Sequence, residues 1–310
     1  MFHHFHDDKL HSKSQGSISR DDFYKLIKFI GRKNIINADE FFEKFKKKKL
    51  KKTEICFTFD DALKCQIDIA LPVLEDEKIK SFFFIYSSLF EGKPDNLEIF
   101  RYFRTNYFKS INSFYKDFYG TLKEDLTEFL KKNLKEIESW KKKFPVYSIE
   151  DIKFRLVRDI YLGKNKYEKI MFEMLNQKKI EIEGLYTKLL INKNDLKKLD
   201  QLGHLIGLHS HSHPTRMEDL STQDQKKEYE KCIEVLAKIL NKPKAEIKYM
   251  SHPNGSYNKN TLKVLKEIGI EIGFKQIMGI EPERGMRKIN NSFLEIARED
   301  HSDIFQRMLG

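Results

Sequence analysis

The run Ile55-Cys56-Phe57-Thr58-Phe59-Asp60-Asp61-Ala62 decides how the rest of the chain is read. Its first five residues are β-branched, aromatic or small, the composition of a buried strand. Two adjacent acids close it. In α/β sheets and barrels ligands gather at the carboxyl ends of strands. Neighbouring carboxylates there are costly unless a cation or hydrogen bonds compensate. Taken alone, the pair also fits a surface turn that happens to carry two acids.

Outward from this run, strands and helices alternate. Phe2 to Phe5 reads as a first strand, and Ser19 as the cap of a helix with Phe23, Leu26, Ile27 and Ile30 on one face. Asn37 starts a second helix through Phe41, Phe42 and Phe45. After the acids come a helix carrying Ile67, Ile69, Ala70, Val73 and Leu74, and a strand from Ser81 to Tyr86. The pattern resumes after about residue 190 with a short helix (Leu196, Leu199) ended by Gly203 and a strand from His204 to Leu208. A helix from Ser221 to Leu240, a strand from Ile247 to Met250 and a helix from Thr261 to Ile268 follow. Further strands are expected at Ile270 to Phe274 and Phe293 to Ile296. This alternation predicts a parallel sheet, open or closed into a barrel.

Residues 92–190 break the rhythm. They are helical in pattern, basic and rich in aromatics, from Phe100 to Tyr119, with Ser148 and Asp151 as a capping-box-like helix start. The segment reads as an insertion whose aromatics at helical spacing form its own core. It leaves the sheet just after Ser87-Ser88, at a strand's carboxyl end, so it is expected near the rim of the site. The expected organisation is residues 1–91 and 191–310 as the α/β body and 92–190 as a helical insertion.

Composition narrows the functional classes. The chain has 310 residues, 40% of them hydrophobic, enough for one large core plus an insertion. Its three cysteines, Cys56, Cys65 and Cys232, lack the paired spacings of a disulfide scaffold or thiolate metal site. No apolar run suits a signal peptide or a membrane span, so a cytoplasmic protein without a transmembrane segment is expected, with peripheral membrane contact left open. The net charge of +11 is compatible with an anionic partner, but the chain holds no recognisable nucleic-acid module.

Two further motifs follow expected strands. His209-Ser210-His211-Ser212-His213-Pro214 places two histidines four apart, a spacing that can converge on one divalent ion or belong to a plain polar loop. Ser251-His252-Pro253-Asn254-Gly255-Ser256 is turn chemistry whose backbone N–H groups can also stabilise an oxyanion.

In this order, Thr58 to Asp61, His209 to Pro214 and Pro253 to Gly255 resemble the motifs of the polysaccharide deacetylase, or NodB-homology, family. The resemblance covers roughly residues 53–90 and 190–300. It implies a distorted (β/α) barrel and one divalent metal ion, with Zn²⁺ favoured by ligand type and Co²⁺ or Ni²⁺ as alternatives. Carried over by position, Asp61, His209 and His213 are the metal ligands, Asp60 the general base and Asn254 a backbone oxyanion donor. The implied activity is removal of an N-acetyl or other N-acyl group from a sugar or glycan, here in a cytoplasmic precursor. A sugar deformylase or other linear-amide hydrolase, and a non-catalytic sugar-binding homologue, are the alternatives.

The chain departs from the family's pattern. Ala62 stands where glycine is usual, Asn254 where tyrosine is common, and Ser251 where many members carry an arginine that orients the base. Arg298, past the last expected strand, is the candidate replacement, reaching Asp60 across a closed barrel. No Leu-x-His motif supplies the general acid; His252 and His301 are the candidates. Of the N-terminal His3, His4 and His6, His4 would face the substrate groove if the first strand joins the barrel.

Overall fold

The structure, a computed structural model, describes residues 1–122, 124–143, 147–276, 278 and 290–309. Five short strands form one sheet: β1 (Thr58–Phe59), β2 (Phe82–Ile85), β3 (Leu205–Leu208), β4 (Tyr249–Ser251) and β5 (Ile272–Phe274). All neighbouring pairs are parallel and the order is sequential from β1 to β5. Such an order suits a barrel, since a doubly wound sheet reverses direction at its switch point. Parallel strands also gather their carboxyl ends along one edge, which brings Asp60, His209 and Ser251 to a common rim.

The sheet continues on both sides by single bridges. Phe2 joins β1 at Phe59, and Ile296 joins β5 at Phe274, both parallel. The His301 N–H donates to the Met1 carbonyl (3.1 Å), linking the far side back to the N-terminal segment. This is the distorted barrel that the family resemblance implies. The two outer segments are shorter than read: Phe2 to Phe5 meets β1 only at Phe2, because Phe5 turns to pair with Ile18. Phe293 to Ile296 is interrupted by a turn in which the Glu295 N–H donates to the Ser292 carbonyl. Its close approach to β5 requires Gly273, where a Cβ would lie 2.8 Å from the Leu294 carbonyl oxygen.

Local sequence sets the helices. Ser19 and Asp22 form a reciprocal capping box on the helix Arg20–Ile30, and Asn192 with Asp195 and Asn258 with Thr261 repeat the device on Lys193–Gln201 and Lys259–Glu267. The helix Ala38–Lys46 buries Phe41 and Phe42 against Phe82, Phe84, Tyr249 and Phe274 of the sheet. Asn37 precedes that helix without capping it through its side chain; its Oδ1 instead accepts the Lys80 N–H (2.9 Å).

The chain divides into two compact units, Met1–Asp95 with Thr187–Gly310, and Asn96–Tyr186. The second is helical. Its buried Phe100, Phe103, Phe114, Phe118, Phe154 and Tyr167 pack on one another, with Phe118 and Phe154 centroids 5.1 Å apart. The Tyr115 hydroxyl donates to Asp151 (3.0 Å). The aromatics at helical spacing are therefore this unit's own core.

Candidate active site

Asp60 and Asp61 follow β1 directly, and the chain bends sharply there. Asp61 and Ala62 both adopt the left-handed conformation, with φ of 74° and 55°. Ser210 (66°), His213 (54°) and Asn254 (50°) do the same in the other two motifs. Non-glycine residues held there cost of order 1–3 kcal/mol each, and such strain concentrates at functional sites. The residue that follows Asp61 in the family's pattern is glycine, the amino acid this backbone prefers.

The turn aims Asp61 at the second motif. Its Oδ1 lies 3.2 Å from His209 Nε2 and 3.4 Å from His213 Nε2. The three ligand atoms lie within 4.8 Å of one another. His213 Nε2 is buried and makes no hydrogen bond among the described residues. Burial pushes the Asp61 carboxyl up, but His3, His209 and His213 hold it well below the usual carboxylate range. Burial also pulls the His213 imidazolium down, yet Asp61 and Asp95 outweigh it and hold its pKa at about 10. A proton and a divalent cation thus compete for the same nitrogen. One carboxylate and two imidazoles with converging atoms fit a zinc-type ion with open positions for water and substrate.

The loop that carries the histidines is pinned by groups not singled out in the sequence. Glu228 accepts the backbone N–H groups of His211 (3.0 Å) and Ser212 (2.7 Å) and the Ser212 hydroxyl (2.8 Å). His211 turns away to Ser87 Oγ (2.8 Å), leaving His209 and His213 for Asp61. His209 Nδ1 donates to the Ser251 carbonyl (2.8 Å), which leaves Nε2 as the free lone pair facing Asp61.

Arg298 closes on Asp60. Its Nη1 donates to Asp60 Oδ1 (2.8 Å) and Nη2 to Oδ2 (2.7 Å), a bidentate pair buried on both sides. Nη2 also reaches Ser251 Oγ (2.7 Å), Nη1 reaches Thr58 Oγ1 (3.2 Å), and Nε is fixed on the Lys275 carbonyl (2.8 Å). The serine at position 251 thus leaves room for a guanidinium that arrives from the far end of the chain. Burial pushes the Asp60 carboxyl up, but Arg298, His209 and His3 outweigh it and hold its pKa at about 2.

Residues 159–273 match the polysaccharide deacetylase family model, a span that includes the second and third motifs. Over this stretch the chain is similar to polysaccharide deacetylases. The solved structure of the Streptococcus pyogenes deacetylase PplD in complex with acetate is 14% identical, with a TM-score of 0.56 over 96% of this chain and 88% of that one. The BpsB deacetylase domain from Bordetella bronchiseptica (12%, TM-score 0.53, 96% and 92% covered) and IcaB from Ammonifex degensii (12%, 0.53, 99% and 93%) share the same fold. No curated protein matches the sequence.

The two histidines read as general-acid candidates are committed elsewhere. His301 is buried with Nδ1 on the Met1 carbonyl (3.2 Å) and Nε2 on the Gly16 carbonyl (2.7 Å). His252 is buried too, with Nε2 on the Leu294 carbonyl (2.8 Å) and its ring stacked 4.0 Å from Tyr257. The histidine set against the two carboxylates is His3, whose Nε2 lies 3.9 Å from Asp60 Oδ2 and 3.8 Å from Asp61 Oδ2. The expectation for the N-terminal stretch named His4, whose ring stacks beside His3 at 6.3 Å. Buried Gln66 ties the segment down, its Nε2 donating to the His3 carbonyl (3.0 Å) and the Asp60 carbonyl (2.7 Å). Asn254 lies exposed on the turn that follows β4.

Proposed function

We propose that the chain is a metal-dependent hydrolase that removes the N-acetyl, or another N-acyl, group from a sugar in a cytoplasmic glycan precursor. The observation that carries this reading is the pairing of a buried, guanidinium-clamped carboxylate with an adjacent carboxylate–imidazole–imidazole cluster on one barrel rim. Asp61, His209 and His213 hold one divalent ion, for which Zn²⁺ is the best match to the ligand types. When bound, the ion supplies an acidified water and an electrophile for the acyl oxygen.

The chain's own residues do the rest. Asp60 accepts the proton of the attacking water, and Arg298 keeps that carboxylate ionised and aimed. The Asn254 N–H donates to the acyl oxygen as negative charge develops there. His3 is the imidazole placed to hand a proton to the departing sugar nitrogen. The acyl carbon gains the water oxygen, the C–N bond breaks, and the products are a carboxylate and a free amino sugar.

The test combines acetate or formate release from a panel of N-acetyl and N-formyl sugars with metal analysis. Asp60→Asn is expected to retain the ion and lose about 10²–10⁴-fold in turnover, the usual contribution of a general base. His213→Ala is expected to lose both ion and activity. Full turnover in Asp60→Asn, or a wild-type protein that takes up no divalent ion, refutes the mechanism. Cell fractionation tests the cytoplasmic site.

A further inference from the structure

We propose that Asp95 is a positioning residue for the metal centre, orienting His213 and raising the site's affinity for a divalent cation; this rests on the metal-dependent reading above. Asp95 Oδ2 lies 2.8 Å from His213 Nδ1, and both residues are buried. A carboxylate accepting from Nδ1–H keeps that proton in place, so Nε2, which faces Asp61 Oδ1 at 3.4 Å, is the nitrogen left for a cation.

The two histidines differ in how much of this support they need. His209 is the residue directly after β3 and inherits the sheet's geometry, and a backbone carbonyl suffices for its Nδ1. His213 sits four residues further on, in a loop and in the left-handed conformation. Its ring plane is set by the Asp95 carboxylate, with the Tyr86 ring 5.3 Å and the His209 ring 5.0 Å away.

Charge points the same way. Asp60 is neutralised by Arg298, which leaves Asp61 with a single negative charge to set against a divalent ion. Asp95 provides the second. A buried carboxylate is costly unless its charge is used, and this one sits at the last residue before the helical unit Asn96–Tyr186. Nothing in the sequence singles it out: Lys93-Pro94-Asp95-Asn96 reads as an ordinary turn.

The experiment measures Zn²⁺ affinity of the full chain by competition with a chromophoric chelator, and the visible spectrum of the Co²⁺-loaded protein. Wild type, Asp95→Ala, Asp95→Asn and His213→Ala are compared, with far-UV circular dichroism in excess chelator as the check on folding. Asp95→Ala is expected to weaken Zn²⁺ binding by about 10–100-fold, the usual effect of losing such an outer partner. Asp95→Asn keeps an acceptor for Nδ1–H but not the charge, and is expected to recover part of the loss. The Co²⁺ bands should shift in Asp95→Ala, which a purely structural role for Asp95 would not produce. If Asp95→Ala does not fold, the near-isosteric Asp95→Asn decides. Affinities within twofold of wild type in the Asp95 variants, alongside loss of the ion in His213→Ala, overturn the role of Asp95 and leave the metal reading standing. Zn²⁺ binding unaffected by His213→Ala, or absent from wild type, overturns the metal reading itself and this inference with it.

Discussion

Replacing Arg298 separates the charge of the guanidinium from its geometry. Arg298 makes five hydrogen bonds, to Lys275 O, Thr58 Oγ1, both oxygens of Asp60 and Ser251 Oγ. Lysine has three N–H donors on one atom, so Arg298→Lys keeps the charge but abandons at least two of these partners and the bidentate plane. A carboxylate displaced by about 1 Å from its productive position costs about 100-fold in rate. We therefore expect turnover to fall about 10–100-fold, with Zn²⁺ affinity within about twofold of wild type, because the hydrogen-bond partners of Arg298 among the described residues do not include the proposed ligands Asp61, His209 and His213. Holding the buried Asp60 carboxyl at about 2 instead of 3.8 contributes about 2 kcal/mol near neutral pH, at about 1.4 kcal/mol per pH unit. That stability is complete above pH 3.8 and is lost as pH falls through about 2. Arg298→Met strands the buried charge and is expected to cost about 3–5 kcal/mol. Arg298→Met combined with Asp60→Asn should regain most of that stability, with no return of activity. The assays are amine release at saturating Zn²⁺, chelator competition, and urea unfolding of the four proteins. Wild-type turnover in Arg298→Lys would refute the orienting role. An unfolding cost in the double variant equal to that of Arg298→Met alone would refute the charge argument.

Two further outcomes follow from the barrel. His204 is buried, with Nδ1 accepting the Ser81 N–H (3.1 Å), and burial together with the charge of Lys80 pulls its pKa down to about 4. Its folded pKa lies below the unfolded 6.5, so stability is complete above pH 6.5 and falls, by about 3 kcal/mol in all, as pH drops to about 4. His204→Asn keeps an acceptor for Ser81 and should flatten that slope in urea unfolding at pH 4.5–6.5; parallel profiles for the two proteins would count against it. Ala62→Gly relieves a left-handed alanine worth about 1–2 kcal/mol while losing a buried methyl worth about 1 kcal/mol. It should stay within about 1 kcal/mol of the parent, whereas Ala237→Gly, buried inside the helix Thr222–Leu240, should cost about 2 kcal/mol. Equal costs for the two would show that the Ala62 backbone is not strained.

The sequence by itself determined what depends on neighbours along the chain. Capping residues such as Ser19 and Asn192 satisfy N–H groups three residues away, and apolar runs such as Ser81 to Tyr86 announce a strand buried on both faces. Both signals are local, so the strand–helix alternation and the placing of the three motifs after strands were legible, and Arg298 could be named because barrel closure brings distant ends together. Strand extents were not: the run from Ile55 to Phe59 ladders with β2 only at Thr58–Phe59 and otherwise bridges singly from Ile55 to Ile35, because pairing depends on where the neighbouring strand begins. Tertiary structure alone decided which other polar groups meet. The pair Asp95–His213 spans 118 residues, and His3 reaches Asp60 and Asp61 across the barrel rim. Such pairs are set by sheet register and loop path, to which no periodicity along the chain corresponds. For the same reason His252 and His301, plausible acids by type, are consumed by carbonyls of Leu294, Met1 and Gly16, acceptors that only the folded chain brings beside them.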